Sequence, residues 1–205
     1  MTPGWDSLWD SVGAPRSGRG AGRSGPPGPA SERPADPGSP ARRTLIVRTD
    51  GAARGNPGPA SLGAVLIEAA GPASRRPGAA PIATISEYLG VQTNNVAEYT
   101  AVLRALTLAH ELGAEAVEML LDSKLIVEQL HGRWRVKDAK LAPLHAEAKG
   151  LLGGFKQWSA AHVPRAQNST ADRLANEALD RVAAGGPARV ARARRVAPAE
   201  GGEGS

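Results

Sequence analysis

Residues 44–69 read TLIVRTDGAARGNPGPASLGAVLIEA, two apolar runs joined by a stretch of Gly, Asn and Pro. Runs rich in β-branched residues and bounded by turn residues predict strands. The pattern gives a strand over 44–50, a turn over 51–59 and a second strand over 61–69. Residues 71–80 (GPASRRPGAA) predict a hairpin loop and residues 81–90 (PIATISEYLG) a third strand. The chain therefore opens its folded part as an antiparallel meander.

Beyond the meander the periodicity changes. Tyr99, Val102, Leu103, Leu106 and Ala109 recur at helical spacing, with Thr93 or Asn94 as the cap and Gly113 as the stop. Residues 117–121 (VEMLL) form a short, almost wholly apolar run, as expected of a strand covered on both faces. Helices are predicted over 123–131 and 140–152, a last strand over 155–163 and a last helix over 168–182. That helix has Ala171, Leu174, Ala175, Ala178, Leu179 and Val182 on one stripe. Three antiparallel strands followed by β–α alternation make an α/β domain, a five-stranded mixed sheet flanked by helices, over 44–184.

The flanks differ in composition. Residues 1–43 contain eight Gly and eight Pro among scattered Arg and Ser. Such a segment buries too little apolar surface to offset its ordering entropy, so a disordered tail is expected. Trp5, Leu8 and Trp9 could dock on an unknown partner. Residues 185–205 (GGPARVARARRVAPAEGGEGS) are expected to be a flexible Arg/Gly-rich tail, whose Arg189, Arg192, Arg194 and Arg195 could touch phosphates.

The formal charge is +5, but it is unevenly spread. Residues 1–43 carry six Arg against four acids, residues 44–184 fifteen bases against fourteen acids, and residues 185–205 four Arg against two Glu. The core is nearly balanced, so net charge alone does not argue for a nucleic-acid partner. With no cysteine, disulfides, thiolate zinc sites and thiol nucleophiles are excluded. No stretch approaches the roughly 18 apolar residues that span a bilayer, and no signal-peptide pattern opens the chain. A cytoplasmic monomer without membrane contact is expected.

Four acids stand where their segments do not need a charge. Asp50 ends the first strand, Glu98 lies near the start of a helix, Asp122 ends the buried strand and Asp172 lies near the start of the last helix. Strand ends and helix starts of a covered sheet can converge on one site. Four converging carboxylates repel one another unless cations neutralise them. An all-oxygen ligand set favours Mg²⁺, with Mn²⁺ as a substitute, over zinc. Two such ions about 4 Å apart can activate a water and stabilise the leaving oxygen of a phosphodiester. Taken singly, each acid also has a plain reading as a turn residue, a helix-start acid or a surface partner of Arg165 or Arg173.

The acids lie in four motifs. Asp50-Gly51-Ala52-Ala53-Arg54-Gly55-Asn56-Pro57-Gly58 resembles the first-strand motif of type 1 ribonucleases H. Gln92-Thr93-Asn94-Asn95-Val96-Ala97-Glu98, Leu120-Leu121-Asp122-Ser123 and Asn168-Ser169-Thr170-Ala171-Asp172-Arg173-Leu174-Ala175 resemble that family's other three motifs, in order, over some 140 residues. The resemblance implies a ribonuclease H-like fold and a metal-dependent endonuclease acting on the RNA strand of RNA–DNA hybrids. It implies that Asp50 bridges two metal ions, that Asp172 holds the ion activating water, and that Glu98 and Asp122 hold the ion on the leaving-group side. It implies products with 5′-phosphate and 3′-hydroxyl ends. Gly51 and Asn56 of the turn would lie along the RNA near its 2′-hydroxyls, and Thr93 and Asn95 near the hybrid backbone.

The chain also departs from long members of that family. These carry a loop His before the final-helix Asp. Here His162 reads better as a strand residue, and Arg165 is the candidate to stabilise phosphate charge. The basic handle helix of long members is not expected here, since only 50 residues separate Asp122 from Asp172. Arg133-Trp134-Arg135-Val136-Lys137, with Lys140, could grip the DNA strand instead. Equally, Trp134 could pack into the core with solvated bases around it. Some relatives carry a C-terminal phosphatase domain, which is not expected here. The competing readings are a non-catalytic binding module on the same fold and another nuclease of that fold, such as a resolvase, transposase or 3′–5′ exonuclease.

Overall fold

The computed structural model describes residues 42–193. The expectations for Trp5, Leu8, Trp9, Arg194 and Arg195 lie outside the described residues. Three strands, β1 (Thr44–Ala53), β2 (Gly58–Glu68) and β3 (Ala83–Gln92), form the antiparallel meander. Helix α1 (Asn94–Glu111) follows, then strand β4 (Ala116–Leu121), helices α2 (Lys124–Leu130) and α3 (Leu141–Gly153), strand β5 (Gln157–His162) and helix α4 (Ser169–Ala183). Short 3-10 turns cover Pro72–Arg75 and Arg165–Gln167.

The sheet has six strands, not five, in the order β5-β4-β1-β2-β3-β6. The sixth, β6 (Arg189–Ala193), pairs antiparallel with β3 and lies inside the stretch expected to be a tail. Its sequence, RVARA, offers no apolar run; main-chain pairing to the β3 edge suffices for so short an edge strand. β4 pairs parallel with both β1 and β5.

Alternation along the strands divides the core in two. Leu45, Val47, Leu62, Leu66, Ile85, Met119 and Leu121 point to one face and bury α1, α2 and α3 through Tyr99, Leu106, Ile126, Leu130 and Leu152. Ile46, Val65, Ile67 and Leu120 point to the other, under Ala171 of α4. Thr93 caps α1, its hydroxyl accepting from the Val96 amide at 3.4 Å, and Gly113, with φ 73°, turns the chain after it.

Helix α4 lies unusually close to the sheet. Its buried stripe consists mainly of alanines, Ala171, Ala175 and Ala178. The Ser61 and Ser86 hydroxyls donate to the carbonyls of Ala175 and Leu174 at 2.6 and 2.7 Å. A Cβ at Gly63 would fall 2.0 Å from the Ala171 carbonyl oxygen, so only glycine permits this approach.

Candidate active site

Strand register brings the first two acids together. Val47 of β1 is paired with Met119 of the parallel β4. Asp50 and Asp122 each follow three residues later, at the same level past the paired segment. The start of α1 reaches Asp50 because its neighbour is glycine: a Cβ on Gly51 would lie 2.2 Å from the Glu98 amide nitrogen. The start of α4 reaches it because the residue across the ladder from Asp50 is Gly63, over which Ala171 passes. Asp172 is the next residue. Two glycines thus bring two helices and two strands to one point.

The charges there act on one another. Asp50 is only 7% exposed. Burial, then the negative charges of Asp122, Asp172 and Glu98, push its carboxyl up to about 7, against the opposing pull of Arg165. Burial also raises Glu98, although hydrogen bonds from Ser123 and Asn94 hold it back.

Each remaining acid is held by a protein donor. The Ser123 hydroxyl donates to Glu98 Oε2 at 2.6 Å, and Asn94 Nδ2 to Oε1 at 3.0 Å. Asn168 Nδ2 donates to Asp122 Oδ1 at 2.7 Å and to the Thr49 carbonyl at 2.8 Å. Arg165 pairs with Asp172. Asn168, 1% exposed, holds Asp122 against β1, a contact that its place in a helix motif does not reveal. Its buried Oδ1 has no partner among the described residues.

The other expected site residues are placed as follows. Gly51 is buried against α1. The tip of the turn between β1 and β2 is exposed, with a cis Asn56–Pro57 bond. Asn56 Oδ1 accepts from the Asn94 amide at 3.2 Å, which ties the turn to the start of α1. Asn95 is exposed on the first turn of α1, beside the capping Thr93. His162 is the last residue of β5, paired with Leu121, as expected of a strand residue. Trp134 is 46% exposed, with Lys124 Nζ 6.0 Å from its ring centre, so the core-packing alternative does not hold. Val136 packs on the core in its place.

The donor set fits a hard divalent cation: four carboxylates, oxygen only, around a buried acid that its neighbours drive toward the protonated form. They are not gathered into a closed cage. Among the described residues no three acidic or histidine side chains stand together as a ready ligand cluster. The carboxylates are instead turned to Asn168, Ser123, Asn94 and Arg165. A cation would compete with these side-chain contacts for the carboxylate oxygens.

The sequence pattern described as reverse transcriptase-like matches residues 48–178. Ribonuclease HI of Halobacterium salinarum is 42% identical over 153 residues, covering 70% of this chain and 73% of that protein. The chain belongs to the type 1 ribonuclease H family.

The crystal structure of a type 1 ribonuclease H from the same archaeon superimposes with a TM-score of 0.61 at 43% identity, covering 67% of this chain and 98% of that one. The type 1 ribonuclease H designated LC11, in complex with an RNA/DNA hybrid, gives 0.61 at 37%, covering 68% and 99%. The bifunctional protein Rv2228c of Mycobacterium tuberculosis is 42% identical over 139 residues, which cover 68% of this chain. The match spans only 36% of that longer protein. Among the described residues no helix is long and apolar enough to cross a membrane.

Proposed function

We propose that this ribonuclease H is a metal-dependent endonuclease that hydrolyses the RNA strand of RNA–DNA hybrids, leaving 5′-phosphate and 3′-hydroxyl ends. The observation that carries the reading is the grouping of Asp122, Asp172 and Glu98 around the buried Asp50, whose carboxyl is pushed up to about 7 by burial first and by their negative charges second. A site built to strain a carboxylate in this way is a site for cations. The hybrid held by the similar LC11 protein supports the substrate class.

Asp50, Glu98, Asp122 and Asp172 would hold two Mg²⁺ ions, with Mn²⁺ able to substitute. The chemistry such ions would supply is activation of a water and neutralisation of charge on the leaving oxygen. Asp50 and Asp172 would hold the ion that serves the attacking water, and Asp50, Glu98 and Asp122 the ion that serves the leaving group. Asn168 and Ser123 orient Asp122 and Glu98. Arg165, paired with Asp172 and exposed at the rim, would meet the phosphate. The backbone of the Gly51–Gly58 turn and the Asn56 amide would lie along the RNA, where 2′-hydroxyls distinguish it from DNA. Thr93 and Asn95 would face the hybrid backbone. The exposed Trp134, with Lys137 and Lys140, would face the DNA strand.

A cleavage assay on a hybrid labelled on each strand in turn, beside double-stranded RNA and a branched DNA, tests the reading. Cutting confined to the RNA strand of the hybrid supports it. Cutting of branched DNA, or hybrid binding without any cutting, overturns it.

A further inference from the structure

Arg48 is a charge buried within an apolar strand. It follows Leu45, Ile46 and Val47, none of which is exposed, and is itself 3% exposed. A buried guanidinium is costly unless hydrogen bonds and counter-charge compensate it. Its two hydrogen bonds go to backbone: Nη1 donates to the Gln167 carbonyl at 2.8 Å and Nη2 to the Arg75 carbonyl at 2.6 Å. Its Nε has no partner among the described residues. Glu118 offsets only part of the desolvation, which still lowers its pKa.

The two carbonyls show what this arrangement achieves. Gln167 closes the 3-10 turn Arg165–Gln167. That turn carries Arg165, the partner of Asp172, and leads directly into Asn168, the partner of Asp122. Arg75 ends the other 3-10 turn, and its own guanidinium is tied to Glu118 of β4 at 2.6–3.0 Å. Arg48 thus reaches from β1 to the turn carrying Arg165 on one side and to a turn anchored on the sheet on the other. It also shares a side of β1 with Asp50, two residues on.

We propose that Arg48 is a positioning residue, a buried clamp whose grip on the Gln167 carbonyl fixes the turn that presents Arg165 and Asn168 to the active-site carboxylates. The kinetic consequence rests on the hydrolytic reading above; the structural one does not. A planar guanidinium fork can meet two carbonyls at once, whereas a lysine ammonium presents a single point charge.

The test compares wild type, Arg48→Met, Arg48→Lys, Arg165→Ala and the Arg48→Met/Arg165→Ala double variant. Hybrid cleavage is read as kcat and KM, and amide hydrogen exchange is read over residues 165–169 without substrate. Arg48→Met is expected to lower kcat about 10- to 100-fold, the cost of misplacing a catalytic group, with little change in KM. The double variant should be little worse than the more severe single variant, because both changes remove one function. Exchange at Gln167 and Asn168 should quicken in Arg48→Met, and Arg48→Lys should restore kcat and exchange only in part.

A folded Arg48→Met with wild-type kcat and wild-type exchange overturns the proposal, and so does full additivity with Arg165→Ala. If wild type itself does not cut hybrids, the functional reading fails and the exchange comparison alone decides the clamp. If Arg48→Met does not fold, Arg48→Lys decides by the same readouts. Failure of both to fold would assign Arg48 to the core and overturn the clamp.

Discussion

The backbone of Gly51 lies directly against the amide of Glu98: a Cβ on Gly51 would come within 2.2 Å of that nitrogen and 2.5 Å of the Ala97 carbonyl carbon. The obstruction is backbone, which cannot swing away as a side chain does. Gly51→Ala must therefore push the start of α1 off β1, and with it Glu98. Overpacking of this kind costs about 1–3 kcal/mol. We expect a lowered melting temperature together with a fall in kcat, checked by thermal melts and steady-state cleavage. Unchanged values of both would show that α1 is free to yield there.

That relationship marks how far the residue pattern reaches. The strand and helix signals placed Asp122 at the end of β4 and Glu98 and Asp172 near the starts of α1 and α4, where the fold has them; Asp50, expected to end its strand, lies inside β1, whose pairing with β2 runs on to Ala53. Parallel pairing of Val47 with Met119, which levels Asp50 with Asp122, is a long-range register that no local pattern contains. Gly51 read as a residue for close approach to a ligand, whereas what crowds it in the structure is a helix of its own chain. β6 escaped notice because Arg189 and Arg192 interrupt its apolar residues, and an edge strand needs only main-chain partners. Arg48 also escaped, since spacing does not show that a lone Arg in an apolar run ends on the carbonyls of Gln167 and Arg75.

Asp50 makes stability depend on pH. Its carboxyl goes from an ordinary 3.8 to about 7 on folding. Between those values the folded state keeps a proton that the unfolded chain gives up. Stability therefore falls as pH rises from about 4, and the full penalty is present above about 7. Asparagine cannot ionise, so Asp50→Asn should stabilise the fold by about 4 kcal/mol at pH 8, at roughly 1.4 kcal/mol for each of about three units, and hardly at all at pH 4. Thermal melts in EDTA at the two pH values check this. Wild type should also gain more from added Mg²⁺ at pH 8 than at pH 5, where Asp50 is protonated. An Asp50→Asn variant less stable than wild type at pH 8 would contradict the assignment of strain to this carboxylate.

Arg165 opposes that strain, because its positive charge pulls the Asp50 carboxyl down. Arg165→Ala removes the pull, so Asp50 goes higher still. The acidic limb of the pH profile of kcat/KM should then move to higher pH, beyond any loss of kcat from the missing phosphate contact. A profile that keeps its acidic limb, or moves it to lower pH, would show that Arg165 does not act on Asp50.

The central claim is that the four converging carboxylates work through divalent cations on the RNA strand of a hybrid. The most direct measurement is cleavage of an end-labelled RNA–DNA hybrid by wild type and Asp50→Asn, each with Mg²⁺, with Mn²⁺ and with EDTA. We expect wild type to cut the RNA strand with either ion, to stop in EDTA, and Asp50→Asn to remain folded and lose nearly all turnover. Cutting that persists in EDTA, or an Asp50→Asn variant that cuts as wild type does, would contradict it.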